Sequence, residues 1–219
     1  ECCSLGSVGV KCETEDSSVL APGAQLGRYA FESCLTLATV TFNTDRTNKP
    51  RALPEGAFCG AGIEQLCLPN DFHNIGPRAC ENCKSLVEVN LMSTEITALL
   101  SSTFAHCVAL QCIWLPPRLI QIGKEAFLNC VVLQEVVIPT ELSDIGNRAF
   151  CGCEQLQRFT LLDWGDVEQW VQAEHNAFFM CDKFEKPHWL ELLPAEGPDS
   201  DAFDEELSHE YCQYHASPW

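Results

Sequence analysis

A chain of 219 residues with a formal net charge of −18 has room for one or two domains. Its acidity excludes nucleic acid as a partner, because phosphates require a basic surface, and favours a basic partner. No run of about 18 apolar residues without a charge occurs, so no membrane-spanning helix is predicted. The first residue is not Met, and we expect it to be a processed or trimmed end.

One apolar pattern returns about every 23 residues along the chain. In chain order, it predicts a half repeat at 1–12 and repeats at about 23–43, 50–69, 72–92, 96–116, 119–139, 142–162 and 170–190. The apolar positions of the copy at 119–139 are Leu119, Ile122, Ala126, Phe127, Cys130, Leu133, Val136 and Ile138. Residues 191–219 form an acidic, aromatic tail that is predicted to cap the repeats or to dock on a partner.

Each repeat is predicted to contain a turn and one short strand. The apolar and polar residues alternate at its end, as around Val136 and Ile138, which is typical of a strand with one buried face. The preceding Ile-Gly-x-x-Ala-Phe-x-x-Cys stretch is too short for a full helix, and we expect a turn followed by a short helical or 3₁₀ segment. Ordering one repeat costs about 1–2 kcal/mol per residue, more than its few apolar side chains return, so only stacked repeats should fold.

The motif Ile-Gly-x-x-Ala-Phe-x-x-Cys-x-x-Leu-x-x-Val-x-Ile-Pro at 122–139 resembles the BspA-type leucine-rich repeat family, and the resemblance covers about residues 2–190. It implies an α/β repeat solenoid, a right-handed superhelix of about seven and a half turns with a binding role. A parallel sheet would lie on the concave side and short helical, 3₁₀ or irregular segments on the convex side. The chain departs from the motif by a deletion near Ala61, inserts at 44–49 and 163–169, and Pro187 at a strand position of the last repeat.

Seven of the fifteen cysteines share one position, three residues before the first Leu of the strand. They are Cys2, Cys34, Cys83, Cys107, Cys130, Cys153 and Cys181. We predict a column of buried thiols, each acting as a small apolar side chain with a weak donor, in preference to disulfides or metal ligands. Such a column favours a reducing intracellular or organellar compartment over the extracellular space.

The remaining cysteine motifs fit the repeat pattern better than they fit redox chemistry. Cys80 and Cys83 have the spacing of a redox pair, but Cys80 replaces the core Phe, so we expect neither thiol to be exposed. Cys59 and Cys151 occupy equivalent loop positions in distant repeats and should not pair.

One possible metal site lies outside the repeats, in the tail. His209, Cys212 and His215 are spaced to share one side of a helix and could ligate Zn²⁺, although docking is the preferred interpretation of the tail. No nucleophile elbow, phosphate-binding loop, dinucleotide-binding motif or zinc-protease motif occurs. We therefore expect no catalysis and no cofactor.

The exposed face of the predicted sheet is the candidate partner-binding site. Its strand residues alternate with the buried ones, and the candidates are Cys67, Glu88, Asn90, Cys112, Trp114, Glu135, Val137, Arg158, Lys186 and His188. Trp114 is the predicted anchor, because Trp is enriched at interfaces. The alternative is that the row is mixed by chance and Trp114 packs on Pro116 or Asn90. In the tail, the docking candidates are Phe203, Leu207, Tyr211 and Trp219.

These features predict a non-catalytic protein-interaction module that serves as a peripheral or scaffolding subunit of a larger assembly. The half repeat at 1–12 supports this hypothesis, because the open end of a solenoid is usually covered. The alternative is a cell-surface adhesion or recognition fragment, and the third hypothesis is a redox or metal-binding protein.

Overall fold

The computed structural model describes residues 26–42, 51–162 and 170–193, and the main chain of 10–14 and 17–20. In these residues the chain forms fifteen short strands joined by turns. Their bounds are β1 Val10–Thr14, β2 Ser17–Leu20, β3 Thr39–Phe42, β4 Arg51–Leu53, β5 Gln65–Cys67, β6 Phe72–Ile75, β7 Glu88–Asn90, β8 Ala98–Leu99, β9 Cys112–Trp114, β10 Gln121–Ile122, β11 Glu135–Ile138, β12 Asp144–Ile145, β13 Arg158–Leu161, β14 Val171–Ala173 and β15 Leu190–Leu192.

The large sheet is built from the strands that the repeat pattern predicts. Its order is β1-β2-β3-β5-β7-β9-β11-β13, and every pair from β2 onward is parallel. Each strand lies beside the strand one repeat away, so Val89 pairs with Ile113 and Val136 with Phe159. The predicted parallel sheet is therefore confirmed.

The predicted core positions are buried. In the repeat at 119–139 all eight apolar positions have no exposed surface, and the repeats before and after it are closely similar. Phenylalanine rings stack from turn to turn inside this core, with centroids 5.6 Å apart for Phe104 and Phe127 and 5.1 Å apart for Phe127 and Phe150. Cys80 occupies the equivalent place between Phe58 and Phe104, also fully buried, as predicted from its position in the repeat.

The segments that precede the convex turns form further parallel strands, which the sequence did not predict. Strands β15, β14, β12, β10 and β8 form a second sheet in that order, and β4 and β6 form a separate parallel pair. Glycine follows two of these strands because the neighbouring turn lies too close for a side chain. A Cβ on Gly146 would lie 2.8 Å from the backbone nitrogen of Lys124, and one on Gly123 would lie 2.7 Å from the carbonyl oxygen of Leu99.

Turns replace the short helical segments expected on the convex side, and the ranges described above contain no helix. In the repeat at 50–69, the N–H of Ala57 bonds the carbonyl of Pro54 and the N–H of Ala61 bonds that of Phe58. Gly56 and Gly60 have φ of 60° and 68°, as the third residue of a type II turn requires. The N–H groups of Gly56, Phe58 and Gly60 instead bond carbonyls of the following turn, and this convex ladder recurs along the solenoid.

Both ends differ from the predicted repeats. Most of the half repeat expected at 1–12 lies outside the described residues, and β1 pairs antiparallel with β2, so β2 is the neighbour of β3. At the other end, Trp170 was expected in the core but is 59% exposed, because the next residue, Val171, is buried in its place. The large sheet therefore has six repeat strands in the described chain, β3 to β13, and the expected count of seven and a half turns is not reached.

Candidate binding face

Two columns of side chains point outward from the large sheet. Column one is Thr39, Gln65, Glu88, Cys112, Glu135 and Arg158. Column two is Thr41, Cys67, Asn90, Trp114, Val137 and Thr160. Neighbours in a column lie about 4.8 Å apart, the spacing of paired strands. Apart from Lys186 and His188, every candidate that sequence analysis placed on the sheet falls in these two columns.

An apolar pair occupies the middle of column two. Trp114 on β9 is directly opposite Val137 on β11, and the two side chains are 39% and 37% exposed. The intervening residues Ile113 and Val136 are buried, so each strand presents one face to the core and the other outward. Trp is among the residue types most enriched at the anchor points of protein interfaces.

Charged groups are confined to column one. Arg158 Nη2 lies 2.8 Å from Glu135 Oε2 in an exposed ion pair. The side chain of Glu88 on β7 accepts a long hydrogen bond of 3.4 Å from the side-chain amide of Gln65 on β5. The thiols of Cys67 and Cys112 are both exposed. Polar side chains of this kind fix the register of a partner more than they add to affinity.

The last predicted pair of the row is not brought to this face. Lys186 and His188 are exposed, but they belong to no strand and pair with no residue of β13. The physical reason is Pro187 between them, which has no N–H to donate to a ladder. The tail candidates Phe203, Leu207, Tyr211 and Trp219, and the metal candidates His209, Cys212 and His215, lie outside the described residues.

The corner cysteines of the described residues pack as predicted, although Cys181 is only half-buried. Cys2 lies outside the described residues. The thiol of Cys83 donates to the carbonyl oxygen of Phe58 at 3.0 Å, and that of Cys130 donates to Phe104 at 3.3 Å. The thiols of Cys107, Cys153 and Cys181 make the same bond to the preceding turn. Burial raises the pKa of Cys130 and of Cys181 to about 12, so these thiols stay protonated near neutral pH.

The Cys80 and Cys83 pair lacks the setting of a redox site. Both side chains are fully buried, and burial raises the pKa of Cys80 well above its usual value. Redox pairs need an exposed thiol with a lowered pKa. Cys151 was expected in a loop but is also buried, because it packs with Ala105 and Leu128 in a small outer cluster of the convex side.

Within 26–42, 51–162 and 170–193, no cluster of three or more His, Cys, Asp or Glu side chains could hold a metal ion. No helix long and apolar enough to cross a membrane is found in the described part of the chain.

Stacked parallel strands, one per repeat of about 23 residues, define the class of leucine-rich-repeat solenoids. The family described as "BspA type Leucine rich repeat region" matches residues 11–107 and 51–185 in six copies, so the chain belongs to this family.

Two solved structures share the fold. The leucine-rich repeat protein of T. pallidum is 20% identical with a TM-score of 0.57, over 82% of this chain and 88% of its own. A leucine-rich repeat protein from Bacteroides ovatus is 20% identical with a TM-score of 0.53, over 82% of this chain and 54% of its own. This chain therefore spans about half the length of the second protein. No curated protein matches the chain.

Proposed function

We propose that the chain is a non-catalytic protein-interaction module that binds its partner on the outer face of the large sheet, around Trp114. The observation that carries this proposal is the adjacent pair of Trp114 and Val137, two exposed apolar side chains on neighbouring strands. Their strands are fixed by a fully buried core, so the pair is presented with little conformational freedom. Rigid presentation of an apolar anchor lowers the entropy lost on binding.

A larger assembly is the setting that we propose for this module, with the chain as a peripheral or scaffolding subunit. The tail from 194 onward, with Phe203, Leu207, Tyr211 and Trp219, is a second candidate contact with the partner or a cap on the last turn. Deleting residues 196–219 separates the two roles, because loss of a cap lowers the melting temperature and loss of a docking segment leaves it unchanged.

A photo-crosslinking residue tests the binding face directly. We place it at Cys112, which is exposed in column one, and in a matched control at Gln121, which is exposed on the second sheet. In extract of the source cells, we expect a discrete adduct from position 112 and none from position 121. Adding Trp114→Ala should abolish the adduct, whereas adding Trp170→Ala should not. Equal adducts from both positions, or an adduct that survives Trp114→Ala, would contradict the proposal.

The buried corner thiols support a proposal about the compartment. We propose a reducing intracellular or organellar site, supported by the corner thiols that donate to backbone carbonyls in their protonated form. Titration of free thiols in protein purified from its source and then unfolded should find nearly all fifteen cysteines reduced. Mostly oxidised cysteine would favour the alternative of a cell-surface recognition fragment.

A further inference from the structure

The binding face is divided lengthwise into an uncharged half and a charged half. Column two contains no ionisable carboxylate or amine along its whole length, and its centre is the apolar pair of Trp114 and Val137. Column one contains every Asp, Glu, Lys and Arg of the two columns, namely Glu88, Glu135 and Arg158. The division runs across the strands, parallel to the direction in which the repeats stack.

Apolar surface continues beyond column two. Met92 and Leu162 follow Asn90 and Thr160 by two residues and are 49% and 55% exposed. Pro116 and Pro139 hold the same repeat position in the two turns between them, where both are buried. Exposed apolar side chains therefore flank column two at two of these four turns, beside Asn90 and Thr160.

The opposite border is polar and acidic. The residues that precede column one include Glu64, Gln111, Gln134 and Gln157, all exposed, with Val87 and the half-buried Ala38 as the apolar exceptions. Arg158 is paired with Glu135. Across the described ranges no ion pair involves Glu64 or Glu88, so Glu64 on this border and Glu88 in column one present two carboxylates to an incoming partner.

We propose that the occupant of this face is a cationic amphipathic helix of a protein partner, lying across the strands. Its apolar side would cover Trp114 and Val137, and Lys or Arg along one border would face Glu64 and Glu88. This inference rests on the proposed function and specifies the partner.

The spacing of the strands favours a helix over an extended segment. Side chains on one side of a helix recur every three or four residues, about 4.5–6 Å along the axis, which brackets the roughly 4.8 Å between strands. An extended segment repeats about every 6.7 Å and loses register after two or three strands. Six strands span about 24 Å, a distance that a helix of about 16 residues covers.

The tail of this chain is disfavoured as the occupant by its charge. Residues 191–219 contain eight acidic residues and no Lys or Arg, so they would place carboxylates against Glu64 and Glu88.

Three synthetic peptides of 18 residues and a fourth of 21 residues test the proposal on the full chain. The first peptide has Leu on one helical side and Lys along its border, the second has the same composition in scrambled order, and the third replaces Lys by Glu. A fourth peptide reproduces residues 199–219. Affinities are measured by calorimetry at two salt concentrations. We expect the Leu/Lys helix to bind at least about tenfold more tightly than the other three.

Matched variants connect that affinity to the two halves of the face. Trp114→Ala should weaken binding of the Leu/Lys helix at least about tenfold, and Trp170→Ala should leave it unchanged. Glu88→Gln should reduce the salt dependence of the affinity, and Glu191→Gln, which removes an exposed carboxylate from the second sheet, should not. Melting temperatures of all variants must stay within a few degrees of the parent.

Three results would overturn the proposal: equal binding of the scrambled or Leu/Glu peptide, equal losses from the two Trp variants, or tightest binding by the tail peptide. If the peptides fail while the crosslink at position 112 persists and depends on Trp114, the helix is wrong and the binding face stands. If the crosslink also fails, the proposed function falls with it.

Discussion

A single buried ion pair shows how one residue pair stabilises the start of the solenoid. Arg51 Nη1 lies 3.1 Å from Asp71 Oδ2, and both side chains are nearly inaccessible. The guanidinium also lies over the ring of Phe72, 4.6 Å from its centroid, and 5.7 Å from that of Phe42. Arg is suited to such a place because its flat, weakly hydrated cation can pair with a carboxylate and stack on aromatic rings at once. The repeat pattern does not predict this pair, since neither residue is at an apolar position.

Asp71→Ala should lower the free energy of unfolding by about 3 kcal/mol or more, because the buried Arg51 cation loses the carboxylate that compensates its charge. Chemical denaturation measures the change. The double variant Arg51→Met with Asp71→Leu should recover much of the loss, since it removes both charges. Glu95→Ala is the matched control: its ion pair with Arg118, also 3.1 Å, is exposed and should contribute less than about 1 kcal/mol. Similar losses from Asp71→Ala and Glu95→Ala would contradict this account.

Among the elements, the strands of the large sheet could be predicted and the rest of each turn could not. β11, Glu135–Ile138, alternates exposed and buried residues over four positions, which is enough for a period of two to be visible. Strands β8, β10 and β12 of the second sheet have two residues each, too few to show any period. The convex turns place Tyr29, Arg78 and Glu125 at positive φ, and none of these residue types signals a turn.

The outward residues of the large sheet, which form the proposed binding face, were predicted to the same extent as the strands that carry them. Trp114 and Val137 follow from alternation alone, and the structure places them opposite one another. Met92 and Leu162 were missed because they lie past the end of the alternating segment. Lys186 and His188 were included because the repeat register was extended across Pro187, where the strand does not form.

Substituting Gly146 tests whether the close contact between turns requires glycine at this position. Gly146→Ala should lower the free energy of unfolding by about 2 kcal/mol, because its Cβ would lie 2.8 Å from the backbone nitrogen of Lys124 and 3.0 Å from the carbonyl carbon of Gly123. Gly27→Ala is the control, since no atom lies within 4 Å of the Cβ position there. We expect Gly27→Ala to leave stability unchanged or to raise it slightly. Thermal denaturation distinguishes the two, and equal melting temperatures would rule out the steric account.

At the scale of the whole molecule, the corner thiols run as a column through the solenoid and couple its stability to alkaline pH. Burial raises the pKa of Cys130 to about 12 from an ordinary value near 9, and it also raises the pKa values of Cys107, Cys153 and Cys181. A thiol that binds its proton more tightly when folded contributes stability that is fully present below pH 9. That stability is lost as pH rises from about 9 toward 12, because the unfolded chain ionises first.

The free energy of unfolding should therefore fall above pH 9 by up to about 1.4 kcal/mol per pH unit for each such thiol. Denaturation by urea at pH 8, 9 and 10 measures the slope. Because Lys and Tyr titrate in the same range, the test is the difference between the parent and Cys130→Ala. The variant should be less stable at pH 8 and lose less stability between pH 9 and 10. Parallel slopes for the two proteins would show that Cys130 ionises equally easily in both states.

The convex ladder also has an electrical direction of its own. In each of its turn-to-turn bonds the N–H belongs to the earlier turn and the carbonyl to the later one, as in Phe104 to Ala126 and Phe127 to Ala149. Peptide dipoles of about 3.5 D that point the same way add together, as they do along a helix. Their positive pole faces the last turn, from which the chain continues into a segment with eight carboxylates and no basic side chain. Negative charge on the segment that follows the last turn is therefore favourable next to the positive pole of this ladder. A segment with Lys in place of Glu would be repelled by the same pole.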